Sequence, residues 1–119
     1  MNISQEILSD IVVYNKYAKY IPSRQRRETW EELVSRNKEM HQEKFPKLKE
    51  EIEDVYKMVY DKKVLPSMRS LQFAGKPISI NNSRIFNCSF LPIDDWRSFS
   101  EVMFLLLSGC GVGYSVQKH

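Results

Sequence analysis

Six consecutive apolar residues, Val102 to Leu107, lie inside a segment that reads as a helix from Trp96 to about Ser108. A helix that is apolar nearly all round has no face to turn to water, so it must be enclosed. The segment before it, Arg84 to Ile93, mixes alternating and contiguous apolar residues, the pattern of a strand buried on two sides. Asp94 or Asp95 supplies a helix cap and Gly109 a helix stop, and Val112 to Val116 restarts an extended segment. Strand, helix, strand in that order predicts a crossover between parallel neighbours. One such unit leaves open sheet edges and a helix without a second cover. Residues 64–119 are therefore not expected to be stable alone.

The first half has a different pattern. Ile3, Ile7, Leu8, Ile11 and Val12 recur at helical spacing, followed by Tyr14, Tyr17 and Tyr20, and Pro22 ends the element. Thr29 and Glu32 form a capping-box pair, and Trp30, Leu33, Val34 and Met40 give a stripe for a second helix running to about Phe45, with a start as early as Ser23 as the alternative. Pro46 suits the first turn of a third helix, in which Leu48, Ile52, Val55, Tyr56, Val59 and Tyr60 repeat at three- and four-residue steps. That stripe reads as packing. After Lys63 charge thins out, and Pro66, Gly75, Pro77, Asn81 and Asn82 punctuate a loop-rich stretch. The expected organisation is a helical region over 1–63 and a strand-helix-strand region over 64–119.

The net charge of +3 comes from cations interleaved with acids, which is too mild to demand nucleic acid and reads as solvated helical surface. Arg24, Arg26 and Arg27 form the one basic cluster. It is read as a solvated helix start, with phosphates or an acidic partner as the alternative. No charged segment followed by an apolar run opens the chain, and the run at 102–107 is far too short to span a bilayer. A soluble, cytoplasmic protein is expected, in which two cysteines are free thiols. Cys88, Cys110, His41 and His119 match no zinc-ligand spacing, and His41 falls on a polar helix face where it should be solvated. No P-loop, Ser-His-Asp set or paired-carboxylate signature is visible.

A strand cysteine such as Cys88 has two readings, a small buried hydrophobe or a reactive thiol that needs access. Cys110 has the same two, and its glycine neighbours suit close backbone approach to a ligand. The Gly109-Cys110-Gly111-Val112-Gly113 segment follows a helix and opens a strand, the reverse of a dinucleotide fingerprint.

Three segments, Leu65-Pro66-Ser67-Met68-Arg69-Ser70-Leu71, Asn87-Cys88-Ser89-Phe90 and Gly109 to Val116, together resemble the start of the ribonucleotide reductase catalytic subunit. They are most similar to the monomeric, adenosylcobalamin-dependent class II branch. Upstream, Tyr17 to Pro22, Trp30-Glu31-Glu32 and Val55 to Tyr60 resemble, in order and spacing, the helical region that precedes the barrel there. The resemblance implies an α/β fold: an N-terminal helical region followed by the first strand-helix-strand unit of a ten-stranded barrel, completed by another polypeptide. It implies chemistry in which a thiyl radical abstracts hydrogen from a ribonucleotide and two further cysteines reduce the 2′ carbon. Cys88 matches the first-strand member of that reducing pair, whereas its partner and the radical cysteine come later in the family sequence. Ser67, Asn87, Cys110 and Gly111 match or adjoin positions that line the substrate. Adenosylcobalamin would be bound by the partner polypeptide, and a thioredoxin-type reductant would regenerate the dithiol. A family catalytic subunit is several times longer than this chain, so a split gene or an excised fragment is implied. Two other readings stand beside this one: a helical module that binds a partner without catalysis, and a piece of a class I catalytic subunit.

Overall fold

Thr29 fixes the start of the second helix by reciprocal capping: its hydroxyl accepts from the Glu32 amide at 3.3 Å, and the Glu32 carboxylate accepts from the Thr29 amide at 2.9 Å. A start at Ser23 does not occur, because Pro22–Arg24 is a 3₁₀ turn and Gln25 takes a left-handed φ of 51° that no helix can continue through. In the computed structural model, which describes residues 2–117, the chain divides into two units, one ending at Gly75 and one starting at Lys76.

The first unit runs α1 (Ile3–Val12), a π-helical turn over Val13–Tyr17, a two-residue antiparallel pair β1 (Tyr20–Ile21) and β2 (Arg26–Arg27), then α2 (Trp30–Lys44). Pro46–Leu48 forms a 3₁₀ turn into α3 (Lys49–Tyr60), and α4 (Met68–Phe73) lies in the stretch that reads as loop-rich. Part of the stripe on α3 packs: Tyr56 and Val59 meet Val34 of α2 in a buried cluster flanked by Trp30, Ile52 and Tyr60, whereas Leu48 and Val55 are exposed. α1 has the expected periodicity yet buries none of its side chains, and Ile3, Ile7, Leu8 and Ile11 are all exposed.

Behind this cluster lies a polar relay. Asn37 of α2 is fully buried, and its amide donates to the Ser70 hydroxyl of α4 at 2.8 Å. The Tyr56 hydroxyl donates to the Asn37 side-chain oxygen, and burial pushes that phenol up to about 12. His41 was expected to be solvated, but it is half-buried, with Nδ1 2.8 Å from the Asn37 carbonyl and 3.1 Å from the Tyr56 hydroxyl. A carbonyl can only accept, so Nδ1 carries a proton. The basic cluster is likewise engaged. Arg26 grips Glu32 through two nitrogens at 2.7 and 2.8 Å, Arg24 joins the same carboxylate, and Arg27 donates to the Ala18 carbonyl. With the Arg26 guanidinium and the Thr29 amide both on it, the Glu32 carboxyl is lowered to about 2.

The second unit runs α5 (Lys76–Ile80), a 3₁₀ turn over Asn82–Ile85, β3 (Cys88–Pro92), α6 (Arg97–Leu107) and β4 (Gly111–Ser115). The strand begins at Cys88 rather than Arg84, because the Asn81 side chain accepts from the Ser83 amide at 3.0 Å and nucleates the turn instead. Asp95 caps the first turn of α6 by accepting from the Arg97 amide, and Gly109 ends that helix at a φ of 86°. β3 and β4 pair in parallel, as the strand-helix-strand order predicts, with Cys88 opposite Gly111 and Phe90 opposite Gly113. The described residues form two two-stranded sheets and no barrel. No helix among them is long and apolar enough to cross a membrane.

Candidate functional site

Side chains along a strand alternate between faces, and the first positions of β3 and β4 follow that alternation, although Tyr114, on the face of Val112, is 63% exposed. On one face Ser89 and Leu91 of β3 and Val112 of β4 are partly covered. On the other, Cys88, Phe90, Gly111 and Gly113 are open, with Phe90 64% exposed. This does not match a strand buried on both sides, and the physical reason is arithmetic: one helix shields one face of a two-stranded sheet. Cys88 is a free, exposed thiol at the first position of β3.

Gly111 directly opposite leaves the space beside that sulfur unfilled. Neither glycine of β4 is required by the chain's own packing. A Cβ at Gly111 would meet only the Asn87 carbonyl oxygen, at 3.6 Å, and one at Gly113 only Phe90 and the Ser89 carbonyl, at 3.7 and 3.9 Å. All three are ordinary van der Waals separations, so the bare backbone is available to something arriving from outside. The Asn87 carbonyl accepts from the Gly111 amide at 2.9 Å and locks the mouth of the strand pair where the thiol emerges.

Cys110 is buried, 2% exposed, with its sulfur 3.3 Å from the Ser89 hydroxyl. Ser89 follows Cys88 and points to the opposite face, so the two cysteines have different surroundings. Ser67 is exposed and precedes α4 as its N-cap residue; it belongs to the first unit, whereas Asn87, Cys88, Cys110 and Gly111 all belong to the second. Phe90 and Gly113, which are not among the expected site residues, share the open face, where period-2 alternation from Cys88 and Gly111 places them. No group of three metal-ligating side chains occurs among the described residues, and His119 lies outside them.

The outer side of α6 adds a second open surface. Phe99, Met103, Phe104 and Leu107 line a shallow apolar hollow, and Leu107 is 81% exposed. Within the second unit the enclosure that this helix calls for is missing on that side. Covering such side chains is worth roughly 1.5–3 kcal/mol each.

Comparison with known proteins returned no matching family model, curated protein or solved structure.

Proposed function

We propose that this chain is the N-terminal component of a split or truncated class II ribonucleotide reductase, and that Cys88 is one of the two cysteines that reduce the ribose. The observation that carries the reading is the exposed Cys88 thiol standing opposite a glycine that the chain's own packing does not need. A sugar approaching that face would lie against bare backbone at Gly111, with Asn87 and Cys88 at its edge and Cys110 behind the strand. Ser67 is assigned to the substrate on the sequence resemblance alone.

In the reducing step, Cys88 and a cysteine of the partner polypeptide lose two electrons and two protons and join as a disulfide. The 2′ carbon–oxygen bond breaks, the oxygen leaves as water and a carbon–hydrogen bond forms at the 2′ carbon. A thioredoxin-type dithiol then returns the disulfide to two thiols. Adenosylcobalamin, held by the partner polypeptide, supplies radical chemistry that ordinary side chains cannot. The partner also pairs with the free edges of β3 and β4 and covers the outer side of α6, which a two-stranded parallel sheet requires for independent stability.

The test is reconstitution. Mixed with the polypeptide carrying the later barrel strands, adenosylcobalamin, reductant and ribonucleotides, the chain should restore deoxyribonucleotide formation, and Cys88→Ser should abolish turnover while leaving association intact. Full activity of the serine variant would remove the assignment. A second reading, a helical partner-binding module, is favoured by one observation: the first unit closes its own core around Val34, Tyr56 and Val59. It predicts that the first unit folds and binds without Cys88 taking part.

A further inference from the structure

A cleft of about 540 Å³ opens in the first unit between the end of α1, the β2–α2 junction and the end of α3. Its volume lies in the range of small-molecule sites. Arg26, Arg27 and Lys62 line it together with Asp10, Glu28 and Glu31, and two of the cations lie on aromatic rings: the Arg27 guanidinium 5.6 Å from the Tyr14 ring centroid and the Lys62 ammonium 5.4 Å from that of Trp30. A ring face positions a cation without neutralising it.

Lys62 occupies an unusual backbone. It follows the last turn of α3 with its amide donating to the Val59 carbonyl at 2.9 Å, and its φ is +56°. Glycine is the residue that adopts this left-handed helix stop without strain. A lysine here is destabilising for the backbone, and strain of this kind is retained where the side chain has a use. The ammonium is poorly matched inside the chain: its oxygen partners, Ser9 and Asp10, both lie at 3.4 Å, well beyond a charge-assisted hydrogen bond.

Of the carboxylates around the cleft, Glu28 is gripped by Arg36 through two nitrogens and Glu32 by Arg24 and Arg26. The Thr29–Glu32 capping box leaves the Trp30 and Glu31 amides at the open first turn of α2, beside the cleft.

The geometry points to a binding site for a small phosphorylated anion, held between Arg27 and Lys62 at the start of α2, with Asp10 competing for the lysine when the site is empty. This is independent of the reductase assignment.

Inorganic pyrophosphate titrated calorimetrically into the full chain at constant ionic strength, with malonate as a dicarboxylate control, tests it. Saturable pyrophosphate binding is expected, weakened about tenfold or more by Arg27→Gln and by Lys62→Gly, as loss of a charge-assisted contact implies, and strengthened by Asp10→Asn. Lys62→Gly should melt higher than the parent, so its loss of binding cannot be ascribed to unfolding. Absence of saturable binding, equal affinity in Lys62→Gly, or binding of malonate in preference to pyrophosphate would each overturn the proposal.

Discussion

Replacing Tyr56 with phenylalanine removes one oxygen and keeps the ring in the α2–α3 cluster, so it isolates the polar relay from the packing. The side-chain oxygen of Asn37 then loses its donor while remaining fully buried. Water cannot reach it. An orphaned buried acceptor costs about 1–3 kcal/mol, which for a unit of this size is a fall in melting temperature of roughly 5 to 20 °C. Thermal unfolding followed by far-UV circular dichroism at neutral pH reads the change directly. The relay also predicts non-additivity: once Asn37 is replaced by alanine, the further loss of the hydroxyl should cost much less, because no acceptor is left behind. The sign with pH follows from the raised phenol. A group whose folded pKa is about 12 against an ordinary 10 contributes stability that is whole below pH 10 and fades as pH rises through 12. The phenylalanine variant should lose that alkaline component. A melting temperature within about a degree of the parent, or costs that simply add with Asn37→Ala, would refute the relay.

Three further outcomes follow from the same geometry. The Glu32 carboxyl, ordinarily near 4.5 and held at about 2 by Arg26 and the Thr29 amide, contributes stability that is present above pH 4.5 and lost as pH falls through 2; Glu32→Gln should remove that acid-side loss in a circular dichroism titration. Alkylation of the native chain with iodoacetamide should modify Cys88 and spare Cys110 until denaturant is added, as peptide mass spectrometry would show; equal rates at both sites would contradict their different burial. Gly111→Ala should leave the melting temperature of the chain nearly unchanged, since its Cβ meets nothing closer than 3.6 Å, while depressing activity in the reconstituted enzyme by blocking the sugar's approach.

Local chemistry made much of this fold readable. The Thr29–Glu32 capping pair, the packed positions Ile52, Tyr56, Val59 and Tyr60 and the Gly109 stop are short-range signals that appear where the residues place them, whereas Pro46 opens a 3₁₀ turn and the helix itself begins at Lys49. The parallel pairing of β3 with β4 was legible too, because a helix between two strands leaves few other connections. What was hidden depends on distant partners. The Asn37–Ser70–Tyr56–His41 relay joins α2, α3 and α4, and nothing in the neighbourhood of His41 distinguishes it from a solvated histidine. The turn at Asn82 to Ile85 beat the strand pattern of Arg84 and Ile85 through the hydrogen bond from the Ser83 amide to the Asn81 side chain together with backbone bonds from the Arg84 amide to the Asn81 carbonyl and from the Phe86 amide to the Ser83 carbonyl. At the candidate site, sequence pattern placed Cys88 on a strand, but its exposure and its glycine neighbour across the pair needed the register. The different setting of Cys110 also needed it, since both cysteines sit beside small residues in the sequence.

The most direct test of the account is deoxyribonucleotide formation by the reconstituted pair of polypeptides, comparing the parent chain with Cys88→Ser at equal, independently measured association. Product from the parent and none beyond background from the serine variant is the predicted result. Equal product from both, or none from the parent when the two polypeptides are demonstrably bound, would contradict the placement of the Cys88 sulfur beside the reacting sugar.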